Sequence, residues 1–190
     1  MRRCFFCSTA LSPLARADVR YCSGRCRIAA HRLKGVLPAE LVALDRWIRY
    51  SPIKVPLTVR GRAASSTNPR TWSTYESAKD STIGAGLGFV LNGDGVVCID
   101  IDHCLEAGRP TRWASDFLAT LPDTYVEVSP SGDGLHVWGV ADLGFTGRRI
   151  KIAGGDLEVY GNLRYLTVTG DAITSTRHLG DLTKAVAALG

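Results

Sequence analysis

"LGFVLNGDGVVCIDID", residues 87 to 102, is the stretch whose reading decides the fold of this chain. Two apolar runs rich in β-formers flank NGDG, whose Asn-Gly and Asp-Gly steps favour tight turns, so the stretch predicts two strands joined as a hairpin. Alternate residues of a strand share a face. Val96, Cys98, Asp100 and Asp102 are therefore expected on one face, with Val97, Ile99 and Ile101 pointing into the core. Two carboxylates side by side at the end of an apolar strand, roughly 7 Å apart at Cα, repel each other, and a divalent cation removes that penalty.

Outward from this strand the chain alternates helical and extended patterns. "LPAELVALDRWIRY" (37–50) sets Leu37, Leu41, Leu44, Trp47 and Ile48 at helical spacing, with Pro38 near the first turn, and predicts one helix. "RGRAASSTNPR" is an ordered loop, and "RTWSTYESAKD" begins another helix. "PTRWASDFLATLP" is a third, followed by short strands at "TYVEVS", "LHVWGV", "LEVYG" and "RYLTVTG" and a last helix from about Asp181. Mixed elements at this spacing predict an α/β or α+β domain built on one central sheet.

At 190 residues, 45% of them hydrophobic, the chain can bury one substantial core and a small satellite. The formal charge of +5 is unevenly spread. Residues 1–35 hold Arg2, Arg3, Arg16, Arg20, Arg25, Arg27, Arg32 and Lys34 against Asp18 alone, so the first segment is strongly basic and the remainder slightly acidic. An anionic partner, nucleic acid before membrane, is expected there. No run approaches the length of a membrane span, and Met1-Arg2-Arg3 leads into cysteines rather than an apolar leader, so a cytoplasmic setting without membrane contact is expected. Disulfides are disfavoured in that setting.

Four of the six cysteines are explained by spacing. Cys4 and Cys7 form CxxC, and Cys22 and Cys26 form CxxxC, the pattern of a tetrahedral Zn²⁺ site in a segment too short and charged to fold unaided. His31 is the alternative fourth ligand. "YCSGRCRIAAHR" resembles the second half of small zinc fingers, whose last cysteines open a basic helix; here that helix would present Arg25, Arg27 and Arg32 to solvent. The boundaries expected are a zinc module over 1–35 and a core over 36–190.

The acidic strand has chemical company. "SPSGDGLHVWG" is a Ser/Gly turn leading into a strand that carries His136, and such turns offer backbone N–H groups to phosphate oxygens. "GGDLEVYG" adds a third carboxylate, Glu158, with Asp156 the fallback.

The order "KVP…RAASSTNPRTW…GLGFVLNGDGVVCIDIDHC…TYVEVSPSGDGLHVWG…LEVYGNLRYLTVTG" resembles the primase-polymerase (prim-pol) domains of the archaeo-eukaryotic primase superfamily, particularly those of phages and mobile elements, over about residues 46 to 170. The resemblance implies a catalytic sheet like that of the RNA-recognition motif, flanked by a smaller α/β unit, and template-directed nucleotidyl transfer. It implies Mg²⁺ or Mn²⁺ on Asp100, Asp102 and Glu158, with His136 contacting the nucleotide. Ser129, Ser131, Gly132 and Arg164 would assist at the phosphates, with Lys54 a weaker candidate. The partners implied are single-stranded DNA template, primer and nucleoside triphosphates. A separate replicative helicase is a further partner the resemblance allows.

Two other classes fit less of the sequence. A rolling-circle nickase needs paired histidines at HxH spacing, and the histidines here, at 31, 103, 136 and 178, are isolated. A non-catalytic zinc-finger adaptor explains residues 1–35 and leaves the carboxylates idle. Cys98 reads as a small strand residue rather than part of a second zinc site.

Overall fold

The structure is a computed structural model that describes residues 2–16, 18–152 and 154–189. In chain order the helices are α1 (Gly24–Arg32), α2 (Ala39–Val42), α3 (Tyr75–Asp80), α4 (Arg112–Leu118) and α5 (Thr183–Ala187). The strands are β1 (Trp47–Tyr50), β2 (Pro56–Leu57), β3 (Gly86–Asn92), β4 (Val96–Ile101), β5 (Leu105–Glu106), β6 (Arg109–Pro110), β7 (Tyr125–Val128), β8 (Leu135–Val140), β9 (Gly147–Ile152), β10 (Gly155–Tyr160), β11 (Asn162–Val168) and β12 (Gly180–Asp181).

The expected α+β class holds, but the single central sheet does not. Two large sheets form instead: a six-stranded one in the order β12-β8-β4-β10-β9, with β7 also on β8, and a four-stranded one in the order β11-β3-β1-β2, while β5 and β6 pair as a small third. The hairpin expected at NGDG is likewise corrected. β3 pairs with β1 and β11, and β4 pairs with β8 and β10, so the turn carries the chain from one sheet to the other. Arg46 makes this crossover possible. Its guanidinium is buried and takes both oxygens of Asp94 at 2.9 and 3.0 Å, together with the Asn92 side chain, pinning the turn where a hairpin would need strand pairing. Gly93 and Gly95, at φ 84° and 96°, supply the left-handed backbone this reversal requires.

The helix expected over 37–50 is cut to α2, and Trp47–Tyr50 is extended. Helical spacing of the apolar residues was outweighed by tertiary pairing, because Trp47, Ile48 and Tyr50 are aromatic or β-branched and are buried between β2 and β3. The Trp47 indole N–H donates to Leu41 O at 3.1 Å and ties the strand back to the short helix.

β4 is buried on both faces. Val97, Ile99 and Ile101 join Leu135, Val137, Leu157, Val159 and residues of α4 and α5 in one core. Val96 and Cys98 face the other way, into a second core of Trp47, Phe89, Tyr125 and Trp138 between the sheets. Each large apolar side chain so buried contributes about 1.5–3 kcal/mol. The inter-sheet core ends one residue pair beyond Cys98. There the β4 face that began apolar opens with Asp100.

The cysteine segment docks on this body. Phe5 packs against the first core, with the Arg20 and Arg109 guanidinium groups 6.0 and 5.3 Å from its ring. Gly108, between β5 and β6, lies against the Arg20 side chain, so the segment meets the hairpin that directly follows the acidic strand. Among the described residues no helix is long and apolar enough to cross a membrane.

Candidate active site

Strand register assembles the site. Asp100 on β4 pairs with His136 on β8 on one side and with Glu158 on β10 on the other. The same rung continues to Glu127 on β7 and Arg149 on β9. Directly paired residues share a face, so five polar side chains from five strands line the edge of the inter-sheet core. Asp102, just past β4, is exposed on the same face. Carboxylate oxygens of Asp100, Asp102 and Glu158 all lie within 4.8 Å of one another. Asp156 is held by Arg149 at 2.7 Å, which leaves Glu158 as the third carboxylate of the cluster.

The electrostatics of this cluster suit a hard divalent cation. Burial pushes Asp100 above the usual carboxylate range, and Asp102 and Glu158 add to the rise while His136 and Lys54 oppose it. Three converging carboxylates, one of them partly desolvated, repel one another, and a hard divalent cation would relieve that repulsion.

His136 is held in a fixed orientation. Only 3% of it is exposed; Nε2 faces Asp100 Oδ1 and Nδ1 faces Glu127 Oε1, each at 3.5 Å. Burial works to lower its pKa, but Glu127 and Asp100 outweigh that and raise it, favouring the imidazolium. Glu127 is fully buried and densely bonded. One of its oxygens accepts from Tyr125 Oη (3.0 Å), Thr169 N (3.1 Å) and Gly170 N (2.8 Å), and the other from Trp138 Nε1 (3.2 Å).

The Ser/Gly turn closes the β7–β8 hairpin beside the carboxylates. Ser129 and Ser131 hydroxyls lie 2.9 Å apart, Ser131 donates to Asp133, and Asp133 meets His103 Nδ1 at 2.6 Å. The Gly132 N–H is donated within the turn, to Ser129 O at 3.0 Å. Gly134 has to be glycine, since a Cβ there would stand 2.8 Å from Ile101 O and 2.9 Å from Ser129 Oγ. Its absence lets the turn press against the end of β4.

Comparison with known proteins agrees with this geometry. The family described as "Bifunctional DNA primase/polymerase, N-terminal" (Prim-Pol) matches residues 27–183. The chain belongs to the Prim-Pol family. A DNA primase-polymerase of Nitratiruptor phage NrS-1 is 37% identical over 145 residues, which are 72% of this chain and 20% of the phage protein. The chain thus spans about a fifth of that relative's length.

The Prim-Pol match begins inside α1, so all four clustered cysteines precede it. Their sulfurs lie within 4.8 Å of one another, with Cys7–Cys22 and Cys22–Cys26 at 3.5 Å. A tetrahedral ion with bonds of about 2.3 Å needs sulfurs roughly 3.8 Å apart, so the set fits zinc. Cys26, rather than His31, stands with the other three cysteines in this cluster. Thr9 draws the Cys7 thiol down to about 6, while Cys22, hemmed in by Cys7 and Cys26, is pushed up to about 12. Four thiolates cannot coexist there without a cation.

Several Prim-Pol site neighbours sit at the rim. Lys54, in a left-handed conformation at φ 58°, acts electrostatically on both Asp100 and His136. Arg164 stacks 4.4 Å over the Tyr160 ring, and Tyr160 Oη donates to Glu158. Glu127, Tyr160 and Arg149 were not singled out from the sequence. Period-two alternation from Glu158 could have placed Tyr160 on the site face, and a hairpin closed at the Ser/Gly turn could have set Glu127 opposite His136; "GRRIKI" is a basic strand masked by the acidic average of the core.

Proposed function

We propose that this chain is the catalytic part of a DNA primase/polymerase, a template-directed nucleotidyltransferase of the phage or mobile-element type. The observation that carries the reading is the rung that brings Asp100 and Glu158, with Asp102 beside them, to one point next to His136. In the reaction a primer or initiating 3′-hydroxyl attacks the α-phosphate of a nucleoside triphosphate; a phosphodiester bond forms and the bond to pyrophosphate breaks. Mg²⁺ or Mn²⁺ bound by the carboxylates supplies charge neutralisation and a lowered hydroxyl pKa. Asp100 and Glu158 are carried on adjacent strands and hold their ligand geometry rigidly, while Asp102 approaches from the strand end. His136 holds the β- or γ-phosphate through Nε2, with Ser129, Ser131 and the Gly132 turn shaping that end of the site and Arg164 and Lys54 adding positive charge. A separate helicase opening the template is compatible with this role. Rate of nucleotide incorporation on a primed single-stranded template, with and without Mn²⁺, tests the reading.

His136→Ala is expected to raise the nucleotide KM about tenfold or more and to lower kcat as well, because a phosphate contact exists in both ground and transition states. A variant with unchanged KM that loses one limb of the pH–rate profile would assign His136 to proton transfer instead.

The zinc module, residues 1–35, holds the single-stranded template or the 5′ end of the nascent strand, by virtue of its positive charge. Removal of zinc by a zinc-selective chelator, with Mg²⁺ kept in excess, is expected to unfold this segment and to abolish de novo priming while the core persists, a contrast read from the four tryptophans, all of which lie beyond residue 35. Extension of a supplied primer at high template concentration should survive. Undiminished de novo priming after zinc removal would assign the module to another partner.

A further inference from the structure

The cysteine segment and the core meet over a cavity of about 210 Å³, on the β7 side of the molecule rather than in the carboxylate site. Its wall includes Tyr21, Arg27, His31 and Lys34 from the cysteine segment and Asp171 and Arg177 from the core. The two walls approach closely where Gly35 N donates to Gly170 O at 3.1 Å and a Cβ on Gly170 would stand 3.0 Å from Gly35.

Arg177 is the informative residue. Its Nη atoms donate to Thr174 O (2.7 Å), Thr176 O (2.8 Å) and, across the seam, Leu33 O (3.2 Å), and the guanidinium stands 5.5 Å from the Tyr125 ring centre. Its Nε is buried without a hydrogen-bond partner, and among the described residues no carboxylate lies at ion-pair distance. A half-buried cation answered by carbonyls and a ring face, with no counter-charge, is costly. Arg27, His31 and Lys34 follow one another at i, i+4 and i+7 along the same side of α1 and its C-terminal turn, so the further positive charge of Arg27 and Lys34 converges on the cavity, against Asp171 alone. Part of that charge is ordinary complement to a helix C-terminus. That role does not account for Arg177, which comes from the opposite wall.

We infer that this seam cavity is a binding site for a phosphate of single-stranded nucleic acid, gripped by Arg27, Lys34 and Arg177, with the Tyr21 ring beside it available for a base or sugar. The inference rests on the reading that the cysteine segment holds a strand, and it says where on the segment a phosphate sits. The same chemistry is offered by a terminal 5′-phosphate and by an internal phosphodiester.

The test uses the full zinc-loaded chain and 3′-labelled single-stranded oligodeoxynucleotides bearing either a 5′-phosphate or a 5′-hydroxyl, with binding followed by fluorescence anisotropy over a range of salt. Arg27→Ser with Lys34→Ser is expected to weaken binding about tenfold or more and to reduce the slope of log affinity against log salt by about 0.7, the contribution of one phosphate contact. Arg25→Ser with Arg32→Ser removes equal charge from exposed positions of α1 that do not line the cavity, and should do much less. Arg177→Lys, which keeps charge but loses the fork, should weaken binding with zinc content and Tm little changed. A 5′-phosphate preference that the Arg27/Lys34 variant loses marks the terminal phosphate; equal weakening of both oligonucleotides marks an internal one, and either supports the site. Equal losses from the two double variants, or no loss from the first, would overturn it. A wild-type chain that binds neither oligonucleotide would instead sink the broader reading of the segment.

Discussion

Asp100→Asn and Asp102→Asn should each cut nucleotide incorporation by about a thousandfold or more, roughly 4 kcal/mol of transition-state stabilisation, without lowering the Tm of the metal-free protein. Each change removes one charged ligand while nearly conserving volume. The stability expectation for Asp100 follows from the direction of its shift. Burial and the neighbouring carboxylates raise its folded pKa, so the metal-free protein loses stability as pH rises from the ordinary carboxylate value through the raised one. Asparagine at 100 lacks that loss, and Tm at neutral pH should hold or rise. The same shift makes Mn²⁺ compete with a proton, so calorimetric Mn²⁺ affinity of the wild type should weaken as pH falls into that window. Wild-type incorporation by the double variant would end the proposal of carboxylate-bound metal catalysis. A collapsed Tm in either single variant would show that the charges serve the fold.

How far the sequence discloses this arrangement depends on whether the deciding contact is local. The alternation in 96–102 placed Asp100 and Asp102 on one face because period two is a backbone property. The cysteine spacing likewise announced a cluster that the structure brings within 4.8 Å. What stayed hidden is non-local. NGDG has the composition of a hairpin turn, yet its outcome is decided by Arg46, forty-odd residues upstream, whose side chain is buried against Asp94. Trp47 and Ile48 fit a helical period and also a strand, and only β2 and β3 select the strand. The family resemblance supplied the ligand set, whereas the rung that unites β7, β8, β4, β10 and β9 exists only in the register. Glu127 illustrates the cost of that gap: nothing local in "TYVEVS" singles it out, yet it is fully buried.

Glu127 should prove nearly as important as the carboxylates, for a different reason. It accepts hydrogen bonds from two backbone N–H groups, a tyrosine hydroxyl and an indole, and it faces His136 at 3.5 Å. Glu127→Ala strands all of those donors and leaves a buried imidazolium without its main counter-charge. The expected cost is about 3–5 kcal/mol, or roughly 6–20 °C in Tm for a chain of this size. Glu127→Gln keeps one acceptor oxygen and the volume, so its loss should be smaller, about 1–3 kcal/mol. The informative readout lies in function rather than stability. Glu127 raises the His136 pKa against the opposing pull of burial. Glutamine should therefore lower the His136 titration observed by NMR and raise the nucleotide KM toward that of His136→Ala. A merely structural Glu127 would move neither quantity in a folded glutamine variant. A folded Glu127→Gln protein with wild-type KM and an unshifted His136 titration would show that the rung's buried end supports the sheet and nothing in the chemistry.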